Sequence, residues 1–214
     1  MNEISKTTSI RSEREKIKRL IKNSPSPSLA ETHLSRLIES GGAKSLDKIP
    51  RADLAALFGV LGGSTYLSDI LFRQGKDWPV LFLNQLRTKS KTVAVHLSEL
   101  APYTENAESL DEFCAGLRQH KQREYLRIGA RDLMASVPME ETVRELTALA
   151  EASLDAAYQY CRSEVERDFG LFMLPGRQNP NPFVVLGMGK LGGAELNFSS
   201  DVDVIFLYEN DEGE

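Results

Sequence analysis

A glycine-rich turn followed by two aspartates holds the residue types best suited to chemistry. Residues 187–203 read GMGKLGGAELNFSSDVD and lie between two short apolar runs. Glycines let a phosphate approach backbone N–H groups at the start of a short helix, and Lys190 adds a positive charge. Asp201 and Asp203 offer carboxylate oxygens, which suit Mg²⁺ together with substrate phosphates. The segment therefore predicts a phosphate- and metal-binding site.

The predicted site residues fall into two sets, one for a metal ion and one for phosphate or a nucleotide. The predicted catalytic and metal-binding residues are Asp201 and Asp203. The predicted phosphate- or nucleotide-binding residues are Gly187, Gly189, Lys190, Gly192, Gly193 and Ser200. Ser199 is expected either to touch phosphate with Ser200 or to cap the start of the next strand.

The apolar runs on both sides of this segment are predicted to be β-strands, Phe183 to Leu186 and Val204 to Tyr208. Side chains two positions apart in a strand point to the same side. We therefore expect Asp201 and Asp203 to project from one face at the head of the second strand, close enough to share one metal ion.

Other interpretations of the glycine pattern remain. Gly187, Gly189 and Gly192 after a strand also fit the dinucleotide fingerprint, but few residues are left for a full crossover helix before the second strand. The segment could also have no binding role, in which case it is a glycine turn followed by a strand that begins with acidic residues. A P-loop is excluded, because no Lys-Ser/Thr pair follows a glycine at the required spacing.

Everything before this segment has helical periodicity, and Gly and Pro punctuate it. No internal repeat or low-complexity tract interrupts it. The predicted helices are 12–23, 29–40, 51–61, one from Ser64 or Thr65 to Phe72, 81–86, 92–100, 110–134 and 138–169. Gly62-Gly63 has no preceding strand and is predicted to be a turn, as is Trp78-Pro79. A Pro-rich stretch at 175–182 marks a domain boundary. We therefore expect a helical region at 1–174, and we expect 175–214 to be the first part of a different domain.

Two sets of polar residues in the helical region are ambiguous. Arg123, Arg127 and Arg131 recur every four residues and share one helical face. That face is either solvated and paired with nearby acids, or a cationic strip for an anionic partner. His33, His96 and His120 show no ligand spacing in sequence, so we expect surface histidines or histidines with hydrogen-bond partners.

Composition narrows the function class. The 214 residues carry a net charge of −5, which predicts no nucleic-acid partner. The two cysteines, Cys114 and Cys161, form no ligand cluster and are expected to be buried free thiols. The charged N-terminus lacks a signal-peptide core, and no run of about 18 apolar residues predicts a membrane span. A cytoplasmic location is the expectation.

The late motif resembles a known family. Residues 187–206, GMGKLGGAELNFSSDVDVIF, are similar to the signature of glutamine synthetase adenylyltransferase/deadenylylase enzymes, which belong to the polymerase-β-like nucleotidyltransferase superfamily. The resemblance extends upstream through 117–133 and 63–73, and so covers roughly 57–207. It implies a mostly α chain with a C-terminal α+β piece, in which a helical region precedes the first β-α-β of a nucleotidyltransferase domain.

The family carries two such domains, and the version with Asn197-Phe198-Ser199-Ser200 resembles the first copy. That resemblance implies removal of AMP from an adenylylated tyrosine of glutamine synthetase, with orthophosphate as attacking group and ADP as product. It also implies Mg²⁺ at Asp201 and Asp203. The implied partners are glutamine synthetase, phosphate, ADP, ATP for the second copy, and a PII signalling protein.

The family site needs a third carboxylate on a later strand, and the sequence stops at Glu214. The expectation is therefore a truncated domain that binds Mg²⁺-phosphate weakly and does not turn over. A helical protein-interaction module that uses the arginine face and a dinucleotide-binding domain remain the alternatives.

Overall fold

The computed structural model describes residues 14–134, 136–174 and 180–209. This part of the chain is mostly helical, with a small antiparallel sheet near its C-terminal end. Its α-helices are α1 (14–22), α2 (Pro27–Gly41), α3 (Leu54–Gly63), α4 (Thr65–Phe72), α5 (Trp78–Arg87), α6 (Val93–Asn106), α7 (Leu110–Leu133), α8 (Met139–Phe169) and α9 (Gly189–Gly192). The strands are β1 (Phe183–Gly187) and β2 (Val204–Tyr208). The predicted mostly α class is confirmed.

The chain divides into two compact units, and one of the points where it passes from one unit to the other lies inside α7. The first unit holds the described residues up to Lys89 together with Gln122–Pro138, and the second holds Ser90–Lys121 and the described residues from Met139 onward. The boundary predicted at 174/175 remains a prediction.

The core of the first unit forms around α3, an apolar helix with most of its side chains buried. Leu57, Val60 and Leu61 of α3 are fully buried and pack in one cluster with side chains from α2, α4, α5 and the second half of α7. Ser64 ends α3 and caps α4, because its hydroxyl accepts the N–H of Leu67 at 3.3 Å. The predicted start of the fourth helix is therefore confirmed.

The turn predicted at Trp78-Pro79 is wrong. Both residues open α5, with the proline in the first turn of the helix. Proline is well suited there, because the first N–H groups of a helix have no partner within the helix. Trp78 is buried in the core of the first unit, so its indole reports on the folding of that unit.

The arginine face of α7 differs from both interpretations of the sequence. Arg127 is fully buried, whereas Arg123 is exposed. The Arg127 guanidinium donates from Nε to Glu124 Oε2 at 2.7 Å and from Nη1 to the carbonyl of Lys89 at 3.1 Å. The central arginine is therefore an internal ion-pair residue, and the three arginines form neither a solvated face nor a continuous cationic strip.

The second unit is organised by α8, which extends for 31 residues and ends where Gly170 takes a φ of +79°. Leu100 of α6 packs against Ala152 and Ala156 of α8 in a small apolar cluster. Phe113 of α7 stacks on Tyr160 of α8 with ring centroids 4.2 Å apart, and burial raises the pKa of the Tyr160 hydroxyl. The long helix predicted at 138–169 is confirmed.

The two strands pair antiparallel, with Phe183 opposite Tyr208 and Gly187 opposite Val204. Most of their apolar side chains remain exposed, and Phe206 is 59% accessible. An isolated two-stranded sheet is marginally stable in water, so its placement depends on other contacts. The aromatic ring of Tyr158 in α8 supplies one, because it stacks on Phe183 with centroids 5.4 Å apart.

The histidines match one of the two expected alternatives, whereas the cysteines correct an expectation. His33, His96 and His120 are all buried and have hydrogen-bond partners: His33 bonds the carbonyl of Leu61, and His96 bonds His120. Both cysteines are free, as expected, but Cys161 is exposed and Cys114 is half-buried.

Within the described residues, no single helix is long and apolar enough to cross a membrane. Among the described helices, the pair α3 and α4 meets the length and composition criterion when taken together, and the two are bent by 117° relative to each other.

Candidate active site

The structure brings the glycine turn and the second aspartate together. Strand β1 ends at Gly187, and Gly187 pairs with Val204 at the start of β2. The next N–H, that of Met188, donates to the carbonyl of Asp203 at 2.9 Å. The predicted strand pair therefore places Asp203 beside the turn that holds Lys190.

The glycines make a tight turn possible for different reasons. A Cβ on Gly192 would lie 2.5 Å from the carbonyl oxygen of Gly187, so only hydrogen fits there. Gly189 has a φ of +53°, which L side chains rarely adopt. The N–H groups of Gly189 and Lys190 open α9, where helical geometry supplies no partner for them.

The Gly192→Ala variant is expected to disrupt this turn. Its methyl group meets the Gly187 backbone rather than a movable side chain, and forced overpacking costs about 1–3 kcal/mol. Thermal unfolding followed by circular dichroism measures the loss. Gly193→Ala is the matched control, because its Cβ meets only the flexible end of Glu195 at 3.1 Å. Equal destabilisation by both variants would contradict the close approach.

Residues that the sequence analysis missed anchor the loop after α9. Leu191 and Leu196 are the buried side chains of this segment. The N–H of Leu196 donates to Thr147 Oγ1 of α8 at 3.2 Å, while the Thr147 hydroxyl donates to the carbonyl of Val143 at 2.8 Å. An apolar residue in a polar loop indicates a buried side chain, so the sequence contained a signal for Leu196. The helical pattern contains no signal that distinguishes Thr147 from the other polar residues of α8.

The Thr147→Val variant should loosen the glycine loop while preserving side-chain shape. It leaves the buried N–H of Leu196 without its acceptor, at a cost of about 1–3 kcal/mol. Hydrogen exchange of the Leu196 amide, measured by NMR, is expected to accelerate selectively. Ser153→Ala is the control, because its hydroxyl donates only within α8, to the carbonyl of Leu149 at 2.7 Å. An unchanged exchange rate in Thr147→Val would refute the anchor.

The predicted ligands are open to solvent. Lys190, Asp201 and Asp203 are all exposed, which gives a metal ion and a phosphate free access. Strand pairing begins at Val204, so the shared face of the two carboxylates remains a prediction. Their hard oxygen donors beside backbone N–H groups fit Mg²⁺ better than a soft metal.

The two serines are held in a local turn. Asn197 Oδ1 accepts the N–H of Ser199 at 3.0 Å and its hydroxyl at 3.1 Å. The Ser200 hydroxyl accepts the N–H of Asn197 at 3.3 Å. This turn immediately precedes Asp201 in the chain, and a role for Ser200 toward phosphate remains a prediction.

A cleft of about 460 Å³ lies between the glycine turn and α8. Acidic side chains on α8 contribute one wall, and the backbone of the turn contributes the other. Its lining includes Glu151, Asp155, Tyr158, Gly187, Leu191 and Gly192. A small ligand next to the turn therefore has a concave surface beside it.

The dinucleotide interpretation is not compatible with the strand arrangement. A dinucleotide fold joins parallel strands through a crossover helix. Here β1 and β2 are antiparallel, and α9 contains only four residues. The glycine spacing therefore has a different structural basis.

Similarity to known proteins covers most of the chain. The family model for glutamate-ammonia ligase adenylyltransferase matches residues 54–214. Bifunctional glutamine synthetase adenylyltransferase/adenylyl-removing enzymes match as well. The enzyme of Shewanella loihica is 33% identical over 183 residues, which is 84% of this chain and 18% of that protein.

Two further relatives with the same name agree. The enzyme of Nitrosococcus oceani is 35% identical over 180 residues, or 82% of this chain and 18% of that protein. The enzyme of Pseudomonas putida is 42% identical over 108 residues, or 50% of this chain and 11% of that protein. The chain thus spans less than a fifth of the length of these relatives. Because the family model covers well over half of the sequence, the chain belongs to the glutamate-ammonia ligase adenylyltransferase family.

Proposed function

We propose that the glycine turn and the aspartate pair form the metal- and phosphate-binding part of a nucleotidyltransferase site that acts on glutamine synthetase. The observation that carries this proposal is the hydrogen bond from Met188 N–H to Asp203 O, at 2.9 Å. It fixes the backbone of Asp203 beside a phosphate-type turn, in a segment that the family match includes. The names of the relatives support glutamine synthetase as the substrate protein.

The proposed reaction is phosphorolysis of adenylyl-tyrosine. An oxygen of orthophosphate attacks the adenylyl phosphorus, the bond between that phosphorus and the tyrosine oxygen breaks, and ADP and free tyrosine result. Mg²⁺, when bound, would neutralise charge on the transferring group. Asp201 and Asp203 would hold the ion. Lys190 and the N–H groups that open α9 would hold phosphate oxygens.

The direction of adenylyl transfer and the regulation of the enzyme are parts of the same proposal. Removal of AMP follows from resemblance to the first of two catalytic copies, whereas addition with ATP is assigned to the second copy of a longer protein. Regulation by a PII signalling protein and a cytoplasmic setting are further parts of it. The sheet of the described residues has two strands. That this chain releases no ADP by itself is the last part of the proposal.

Titration of the 214-residue chain with ADP, with and without Mg²⁺, tests the binding part. We expect weak, saturable binding that needs Mg²⁺. Binding that is the same in EDTA would overturn the metal assignment. Incubation with adenylylated glutamine synthetase and phosphate tests the second part, and rapid ADP release by this chain alone would contradict the expected inactivity.

The helical interaction module has lost its main support. Its proposed contact surface needed three arginines on one accessible face, and Arg127 is fully buried. Charge reversal at Arg123 and Arg131 tests this alternative, which requires the two changes to abolish partner binding. Under the present proposal, neither change affects Mg²⁺-dependent ADP binding.

A further inference from the structure

Two histidines from different helices meet in the second unit. His96 of α6 and His120 of α7 are 24 positions apart, yet His96 Nδ1 and His120 Nε2 are separated by 3.1 Å. The rings are nearly perpendicular, with centroids 5.3 Å apart. His96 is 0% exposed and His120 is 6% exposed, so this polar pair is built into the packed interior of the unit.

A carboxylate completes the cluster. Glu99 lies three residues after His96 and therefore on the same face of α6. Its Oε2 atom is 3.9 Å from His120 Nδ1. One ligand atom from each of His96, Glu99 and His120 lies within 4.8 Å of the other two. The Glu99 side chain is 41% exposed, which opens the otherwise buried cluster to solvent.

We propose that His96, Glu99 and His120 form a binding site for a divalent transition metal ion, with Zn²⁺ as the best match. Two imidazole nitrogens and one carboxylate oxygen are a ligand set that proteins use for zinc, with water in the fourth position. Zn–N bonds of about 2.0–2.1 Å in tetrahedral geometry put the two nitrogens about 3.3–3.4 Å apart. The observed 3.1 Å between Nδ1 and Nε2 requires only a small opening.

The chemistry differs from that of the aspartate pair. Imidazole favours zinc, copper, nickel or iron, whereas Mg²⁺ favours oxygen ligands. Metal binding would replace the hydrogen bond between the two imidazoles, because each ligand nitrogen must be deprotonated and each neutral ring keeps its proton on its other nitrogen. The ion would then tie α6 to the first half of α7. This site is independent of the proposed nucleotidyltransferase function.

One contact competes with the ion. Lys91 Nζ lies 2.7 Å from Glu99 Oε2, and Lys91 is largely buried. This ammonium already compensates the carboxylate charge, so Glu99 is expected to contribute less to metal affinity than the two histidines. Lys91→Met is therefore expected to tighten metal binding, because it removes the competing cation. A hydrogen-bonded His–His pair without metal affinity is the opposing interpretation.

Isothermal titration of the chelator-treated 214-residue chain with Zn²⁺ tests the site, and Co²⁺ absorption reports the geometry of the bound ion. We expect one ion per chain and a Co²⁺ spectrum of tetrahedral type. Outer-shell partners of a metal site are worth about 10–100-fold in affinity, and loss of a ligand should exceed that. His96→Gln and His120→Gln should therefore lose binding by at least about 100-fold, with a smaller loss in Glu99→Gln.

Matched controls separate this site from others. Glu105→Gln removes an exposed carboxylate from the same helix, and His33→Gln removes a buried histidine that bonds the carbonyl of Leu61 at 2.7 Å. Both should bind Zn²⁺ like the parent chain, as should the Asp201→Asn/Asp203→Asn double variant. Circular dichroism checks that each variant folds. If the histidine variants do not fold, Glu99→Gln still tests the site, because the Glu99 side chain is partly exposed and its replacement should not disturb the fold.

The proposal fails on any of three results. These are no saturable Zn²⁺ binding by the parent chain, binding that survives in both His120→Gln and Glu99→Gln, and binding that disappears in the Asp201→Asn/Asp203→Asn double variant.

Discussion

We expect Asp203→Asn to lower the Mg²⁺-dependent affinity of the chain for ADP by about 10–100-fold. Contacts with a charged group contribute about 1.5–3 kcal/mol, which corresponds to that range of affinity. The amide keeps the size of the side chain, and the Asp203 carbonyl still accepts the N–H of Met188. The fold of the turn is therefore preserved while one metal ligand loses its charge.

A fluorescent ADP analogue, titrated at several Mg²⁺ concentrations, measures this effect. Asp201→Asn is expected to behave alike, since both carboxylates are assigned to the same ion. Glu195→Gln is the matched control, because it neutralises another exposed carboxylate of the same loop. If Glu195→Gln weakens binding as much as Asp203→Asn does, general electrostatics rather than a metal site governs the affinity.

The second large effect is on stability. Arg127→Met is expected to lower the free energy of unfolding of the first unit by about 3–5 kcal/mol, because breaking a buried ion pair leaves its other charge in the interior. Arg127 and Glu124 are 0% and 2% exposed, and their charged atoms are 2.7 Å apart. Arg123→Met, at an exposed position one turn earlier, should change the stability by less than about 0.5 kcal/mol.

Urea unfolding followed by tryptophan fluorescence measures this difference. Trp78 is the single tryptophan of the chain and lies in the core of the same unit, so its signal reports on the relevant transition. The double variant Arg127→Met/Glu124→Leu should recover most of the loss, because apolar replacement of a complete buried pair is often close to neutral. A double variant no more stable than Arg127→Met would argue against the pair as the cause.

Local pattern was sufficient for much of the helical architecture. Ser64 caps α4 and Gly170 ends α8, as capping residues and glycine at helix ends predict. Local pattern fails where a residue suits two local structures. Trp78-Pro79 is typical of a turn, yet proline is equally suited to the first turn of a helix, and these residues open α5.

The candidate site is predictable from the sequence because its components are contiguous. Glycines, Lys190 and the aspartate pair lie within 17 residues, 187–203, and the strands on both sides were predicted from short apolar runs. The sequence could not predict Thr147, which reaches the loop from α8 across 49 positions. The direction of strand pairing was likewise open, and it decided against the dinucleotide fold.

By itself, the sequence therefore determined the helices, the strand pair and the chemical character of the glycine–aspartate segment, since these depend on residues near one another along the chain. Tertiary structure decided which polar side chains enter the interior. Arg127 is buried with Glu124, and His96 meets His120, because packing selects one face of each helix for the core and brings distant faces together. Periodicity identifies the faces of a helix, but their partners depend on contacts between residues that are remote in sequence.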